Sequence, residues 1–148
     1  MWVGTRRQFG GLILGGIAMM ITKNFSVQEI ACHCGCGTEE MDPEFMRMLQ
    51  ELRDRAGFAF RISSGRRCEN HNSKVSSHSS KAGIHTFGKA VDILTGHVNT
   101  SKVLETIKIS QQIGFTGLGL NLRGERKGRF IHLDNRGSDF SVPAIWTY

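Results

Sequence analysis

Proline is scarce in this chain, with 2 residues in 148, and acidic residues are outnumbered, 13 Asp and Glu against 19 Lys and Arg. With 39% apolar residues, this composition excludes a collagen-like, low-complexity or strongly acidic disordered chain. No dense Lys/Arg run occurs, and no zinc-finger or RNA-binding signature. The net charge of +6, scattered from Arg6 to Arg136, therefore reads as a solvated basic surface, and no nucleic-acid partner is expected. An acidic membrane surface or an acidic polymer remains as an anionic partner. From Thr22 onward there is no linker, low-complexity tract or internal repeat, so residues 22–148 read as one domain, large enough to bury a core.

A long hydrophobic run is also missing. Thr5-Arg6-Arg7-Gln8-Phe9 leads into a Gly-rich apolar stretch ending near Ile21, which resembles a twin-arginine export signal. About 13 apolar residues are too few for an ordinary membrane-spanning helix, and no clear A-x-A cleavage site follows. Residues 1–21 are thus read as an uncleaved or poorly cleaved signal, a short releasable anchor, or an extension of a domain starting near Met20. Transient membrane contact through residues 9–21 is expected.

Cysteine is present, but only as Cys32, Cys34, Cys36 and Cys68. An even count permits disulfides and an oxidising compartment, and one bridge from the cluster to Cys68 is the favoured reading. It would close a loop of about 32–36 residues and stabilise by roughly 3–4 kcal/mol on the chain-entropy model. The Cys-His-Cys-Gly-Cys spacing could equally hold a metal through thiolates and His33, although it lacks the usual C-x-x-C loop.

Eighteen glycines predict many turns. Asp42 as N-cap, Pro43 at the first helical position, apolar Phe45, Met48, Leu49, Leu52 and Ala56, and a closing Gly57 predict a helix. A strand is expected over 58–63, a short helix over 69–75, a loop over 76–83 and a strand over 89–94. A second long helix is expected over 101–112, capped by Thr100, with Val103, Leu104, Ile107 and Gln111 inward and Gly114 stopping it. Strands over 115–122 and 129–134, joined by a hairpin loop at 123–128, complete an α+β fold: a central antiparallel sheet with two or three helices packed on it.

The chemistry concentrates in two segments. In His85-Thr-Phe-Gly-Lys-Ala-Val-Asp92, an imidazole and a carboxylate lie seven positions apart, on opposite faces of a straight strand. A turn at Gly88 reverses that parity and lets them meet, with Ala90 leaving room beside Asp92. In Phe130-Ile-His-Leu-Asp134, His132 and Asp134 share one strand face while Ile131 and Leu133 take the other. His85, Asp92 and His132 make a candidate three-ligand zinc site with a fourth position open. Taken singly, each would be an ordinary loop histidine or turn carboxylate.

Together these residues resemble the zinc D-Ala-D-Ala carboxypeptidase family, whose S-x-H-x-x-G-x-A-x-D motif matches from His85 to Asp92, with Gly83 in place of the serine. The resemblance covers roughly Lys23 to Trp146. Asn24-Phe25-Ser26 and Cys32 to Gly37 are similar to the family's N-terminal segment. Ser64-Gly65-Arg66-Arg67-Cys68 resembles its S-G-Y-R-C turn, with Arg66 replacing Tyr, and Phe130 to Gly137 resembles its F-V-H-V-D-x-R-G segment.

The resemblance implies a hedgehog/DD-peptidase-like fold, zinc on His85, Asp92 and His132, and substrate binding or charge stabilisation by Arg67. It implies a zinc peptidase acting on peptidoglycan peptides, either a D,D-carboxypeptidase or an endopeptidase like the phage L-alanyl-D-glutamate endolysins. Such a protein is exported to the periplasm or envelope, or is phage-encoded and acts on the cell wall, and a monomer is expected. Several relatives carry an acid three positions before the last zinc histidine, where this chain has Arg129. Asp134 is therefore the candidate general base, or else the residue that orients a ligand, with Glu125 and Asp139 in reserve. A zinc-containing module that binds wall peptides without cleaving them is the alternative. His33, His71, His78 and His97 read as loop histidines, His71 being placed to line the cleft.

Overall fold

The computed structural model describes residues 19–76, 80–137 and 142–148. Of the signal, anchor or extension expected over residues 1–21, residues 1–18 lie outside the described residues, as do His78 and Asp139. Folded structure begins at β1 (Met20–Thr22), which pairs antiparallel with β2 (Phe25–Ser26) and leads into the single-turn helix α1 (Val27–Ile30). Ser26 caps α1 in a reciprocal capping box with Glu29.

Helix α2 (Pro43–Ala56) follows the local signals closely. The Asp42 side chain accepts from Phe45 N, Pro43 opens the helix, and Gly57 closes it in the left-handed conformation at φ 72°. Its buried face carries Phe45, Met46, Met48, Leu49 and Leu52. Helix α3 (Glu69–Val75) is capped by Cys68, and helix α4 (Thr100–Ile113) packs against α2. Asn99 rather than Thr100 caps α4. Leu104 and Gln111, expected inward, are exposed, and the buried positions are Val103, Thr106, Ile109 and Ser110. Thr106 and Ser110 return their hydroxyls to the helix carbonyls of Lys102 and Ile107, so small polar residues can occupy the inner face without an unmet hydrogen bond.

The sheet has five strands in the order β3 (Ile62–Ser64), β4 (Ala90–Leu94), β6 (Phe130–Asp134), β5 (Gly117–Asn121) and β7 (Ala144–Thr147). Strands β5 and β6 form the expected antiparallel hairpin, and the structure adds the antiparallel pairings β3/β4 and β4/β6. Strand β7 adds a parallel edge against β5, making the sheet mixed. Strand β3 is shorter than expected: Phe58 and Phe60 serve as edge-to-face aromatic packing, and the strand is confined to 62–64, with a register shift against β4. Between β5 and β6 the hairpin loop contains a 3-10 turn, Arg126–Gly128.

Strand alternation divides the sheet into two faces. Val91 and Ile93 of β4, Leu118 of β5, and Ile131 and Leu133 of β6 join Phe45, Leu49, Leu52, Val103 and Phe115 in the core. The opposite parity carries polar residues and glycine. One rung runs Ser64, Asp92, His132, Gly119, Trp146 across all five strands, and the next runs Ala90, Asp134, Gly117, Ala144 across four. No helix among the described residues is long and apolar enough to cross a membrane.

Candidate metal centre

Asp92 and His132 are direct cross-strand partners, and the third group reaches them from a turn. His85 lies in a 3-10 turn, Ile84–Phe87, closed by Gly88 at φ 69°. Gly88 has a second constraint: a Cβ there would lie 2.8 Å from the Glu40 carbonyl oxygen and 2.9 Å from Met41 Cα. Glycine therefore lets the chain reverse and lets the segment before α2 pack on the turn, which produces the parity change anticipated for this position.

The three ligand atoms form a triangle. His85 Nε2 lies 3.3 Å from His132 Nδ1 and 3.4 Å from Asp92 Oδ1, and His132 Nδ1 lies 2.9 Å from Asp92 Oδ1. A tetrahedral ion with N and O ligands at about 2.0–2.1 Å needs ligand separations of about 3.3–3.4 Å, so the donor set fits zinc with at most a few tenths of an ångström of spreading. All three residues are buried. The structure thus brings together the three residues that the sequence offered as zinc ligands, in a group that could hold a metal ion.

The far side of each ligand is tied down. His85 Nδ1 is 2.7 Å from the Gly65 carbonyl oxygen, to which it donates, leaving Nε2 with its lone pair toward the triangle. The other Asp92 oxygen, Oδ2, accepts from Arg67 Nη2 at 2.7 Å. His132 Nε2 is 2.9 Å from Asp134 Oδ2, and Asp134 in turn accepts from Arg136 at its backbone N, Nε and Nη2. Both oxygens of Asp134 are thus engaged behind His132, and the residue is fully buried. Gly117, directly opposite on β5, is what makes room: a Cβ there would collide with the Asp134 carboxylate.

Electrostatics follow from these contacts. Burial alone would raise the Asp92 carboxyl, but hydrogen bonds to His132 and His85 outweigh it and hold Asp92 well below the usual carboxylate range. Burial opposes ionisation of Asp134 too, yet bonding to His132 and Arg136 holds it down to about 2. Burial lowers the His85 imidazole, keeping it neutral as a ligand must be, with Asp92 pulling the other way. At His132 burial is outweighed by its two carboxylate partners, which raise it. Without metal, His132 bridges Asp92 and Asp134 as a proton carrier, so metal binding there releases a proton.

Arg67 is positioned by the Ser64–Cys68 turn. Its Nε donates to Ser64 Oγ at 2.8 Å, Nη2 donates to Asp92, and Nη1 lies 3.5 Å from Asn72 Oδ1. Among the described residues, these contacts engage three of the five guanidinium N–H groups. Arg66, the departure from the family's Tyr, turns the other way: its Nη1 donates to the carbonyls of Arg67, His85 and Thr86, stapling this turn to the His85 turn. Glu125 lies elsewhere, ion-paired with Lys127 at 2.9 Å in the exposed turn before β6. His97 is exposed against Phe58, and His33 is exposed.

Two residues near the site carried no role in the sequence reading. Trp146 of β7 packs at a tilt against the His132 ring, with centroids 5.1 Å apart, and the Arg136 guanidinium lies 4.7 Å over the indole. Gly119 allows this approach, since a Cβ there would sit 2.8 Å from the indole ring. The signal for Arg136 was its spacing, two residues beyond Asp134; no pattern pointed to Trp146.

Two buried imidazoles and a carboxylate on one sheet face, each oriented by a second partner, are the donor set of a metal-dependent hydrolase. The sequence profile of the family described as Peptidase M15 matches residues 23–134, about three-quarters of the chain, and the chain belongs to that family. Members are zinc-dependent in general. Comparison with curated proteins gave no match.

Proposed function

We propose that the protein is a zinc peptidase that hydrolyses a peptide bond in peptidoglycan, in a stem peptide or a cross-link, as a D,D-carboxypeptidase or an endopeptidase. The observation that carries this reading is the triangle of His85 Nε2, Asp92 Oδ1 and His132 Nδ1, with edges of 2.9–3.4 Å, beside the Arg67 guanidinium. Bound there, zinc would polarise the scissile carbonyl and lower the pKa of a water molecule.

The chain's own residues bind and orient around that chemistry, while none among the described residues is assigned to take the water's proton. Arg67 keeps Asp92 presented through one oxygen and offers its guanidinium to a substrate carboxylate or a developing oxyanion. Asp134, of the two roles open to it, acts as a positioning residue: with both oxygens engaged behind His132, it fixes that ring and raises its basicity as a ligand. Trp146 forms an apolar wall beside His132. The basic surface suits an anionic wall polymer. On this reading the protein acts as a monomer at the cell wall, exported to the envelope or encoded by a phage, with no nucleic-acid partner.

One observation favours a second reading, a module that binds wall peptides without cleaving them. Arg129 stands where several relatives have an acid, and its guanidinium is occupied with the Gly124 carbonyl. Incubating the zinc-loaded chain with purified peptidoglycan, followed by mass spectrometry of released fragments, separates the two. Shortened stem peptides or opened cross-links that vanish in His132→Ala are expected. Tight, zinc-dependent wall binding with no fragment released would establish the second reading.

A further inference from the structure

The four cysteines converge, although they are not part of the site above. Every pair among the sulfurs of Cys32, Cys34, Cys36 and Cys68 lies within 4.8 Å, with Cys32–Cys34 at 3.4 Å and Cys34–Cys68 at 3.7 Å. The single bridge to Cys68 favoured from sequence is not formed; all four thiols are free. Four sulfurs around a tetrahedral zinc at about 2.3 Å stand about 3.8 Å apart, close to the 3.4 and 3.7 Å of these two pairs and inside the 4.8 Å that bounds the rest. Two disulfides would instead divide the sulfurs into pairs at about 2.05 Å, whereas here the two short distances share Cys34.

The local chain is shaped for this convergence. Residues 32–38 close on themselves through Cys32 N donating to the Thr38 carbonyl at 2.8 Å. Gly35 and Gly37, alternating with the cysteines, both take φ 78°, the left-handed region, which winds the loop so that Cys34 and Cys36 turn toward Cys32. Cys68 arrives from the turn after β3, at the N-cap of α3.

A second, independent observation is the set of N–H groups aimed at sulfur. Cys68 N donates to Cys32 Sγ at 3.4 Å and His71 N to Cys68 Sγ at 3.3 Å, while His71 Nδ1 lies 3.2 Å from Cys32 Sγ. Donors to sulfur offset the negative charge of thiolates, as partners outside a metal's ligands commonly do.

We propose that Cys32, Cys34, Cys36 and Cys68 bind a second zinc ion in a closed, structural tetrathiolate site. Binding exchanges four thiol protons for one Zn2+, giving a site of net charge −2 with no open position and no redox change. His71, read from sequence as a cleft residue, supports Cys32. The ion ties the 32–38 loop to the turn that carries Arg67, and so fixes the guanidinium that orients Asp92.

The test uses the full chain, produced with zinc and purified under reducing conditions. Elemental analysis should give two zinc ions per chain, falling to one in the Cys34→Ser/Cys36→Ser double variant, whose substituted positions are exposed, and to one in His132→Ala. Replacing zinc by Co2+ in the unmodified chain gives a readout that needs no variant and no hydrolysis. A thiolate-to-cobalt charge-transfer band should appear, persist in His132→Ala and be lost in the double cysteine variant. A single zinc that disappears with His132→Ala, a cobalt spectrum without thiolate character, or disulfides formed in place of metal in the freshly purified chain would each overturn the proposal.

Discussion

Replacing Asp134 by Asn separates orientation of a ligand from proton transfer. Asn keeps the shape of the side chain but loses the charge that bonds His132 Nε2 at 2.9 Å and Arg136 Nη2 at 2.6 Å. Partners of this kind typically contribute 10–100-fold to metal affinity, so zinc binding should weaken by about that factor, roughly 1.4–2.7 kcal/mol. Turnover per bound zinc should stay within about threefold, because no free face of this carboxylate is left to take a proton. The metal-free fold should also lose about 2–3 kcal/mol: the carboxyl moves from an ordinary 3.8 to about 2 in the folded protein, and each unit corresponds to about 1.4 kcal/mol. Competition with a chromophoric chelator measures the affinity, peptidoglycan hydrolysis at saturating zinc measures the turnover, and urea unfolding of the metal-free pair measures the stability. Unchanged zinc affinity with turnover per zinc down by about a hundredfold would refute the orientation argument and make Asp134 the general base.

The same shift predicts a pH response. Because the folded value lies below the unfolded one, Asp134 stabilises fully above about pH 4 and its contribution is lost as pH falls through about 2, with Asp92 acting in the same direction. Metal-free protein should therefore unfold at lower urea at about pH 2.5 than at about pH 5, and equal midpoints would contradict the assignment. Arg67→Lys keeps the charge but cannot reach Ser64 and Asp92 together in a fork, so zinc content should hold while kcat/KM falls about tenfold or more; full activity would remove Arg67 from the site. Gly117→Ala drives a Cβ into the Asp134 carboxylate and should cost about 1–3 kcal/mol together with zinc occupancy, whereas normal zinc content would show that Asp134 can yield. Leu104→Gln should change stability by no more than about 0.5 kcal/mol, since the side chain is 54% exposed; a larger loss by urea unfolding would restore the inward position that helical spacing suggested.

Local signals were the legible part of this fold. Asp42, Pro43 and Gly57 act within one turn of their own positions, so α2 could be read to the residue. Period-two alternation in Phe130–Asp134 made the shared face of His132 and Asp134 legible, and the turn at Gly88 made the meeting of His85 with Asp92 legible, whereas the pairing of Asp92 with His132 is a matter of cross-strand register. What depended on distant partners could not be read. Strand β7 is half exposed and pairs in parallel with a strand more than 20 residues earlier, so no hairpin signal announces it. The inward face of α4 is set by Thr106 and Ser110 returning hydrogen bonds to their own helix, which hydrophobic spacing mistakes for a solvent face. The number of engaged oxygens on Asp134 depends on Arg136 folding back over it, a contact that strand parity cannot anticipate.

The paired rungs explain why the chemistry can sit on strands at all. A β-strand exposes every second side chain to one face, and cross-strand neighbours stand about 4.5–5.5 Å apart, which is close enough for Asp92 and His132 to share an ion but crowded for anything larger beside them. Strand β5 resolves the crowding by placing glycine opposite both polar residues of β6: Gly119 beside His132 and Gly117 beside Asp134. One space is taken by the indole of Trp146 and the other by the Asp134 carboxylate. On the reverse face the same three strands keep Val91, Ile93, Ile131, Leu133 and Leu118, all buried in one core with α2 and α4. Stability and chemistry are therefore carried by alternate residues of the same strands. The glycines of β5 weaken that strand intrinsically, but they pack nothing on the core side, so the cost falls on a face whose geometry the metal itself would hold.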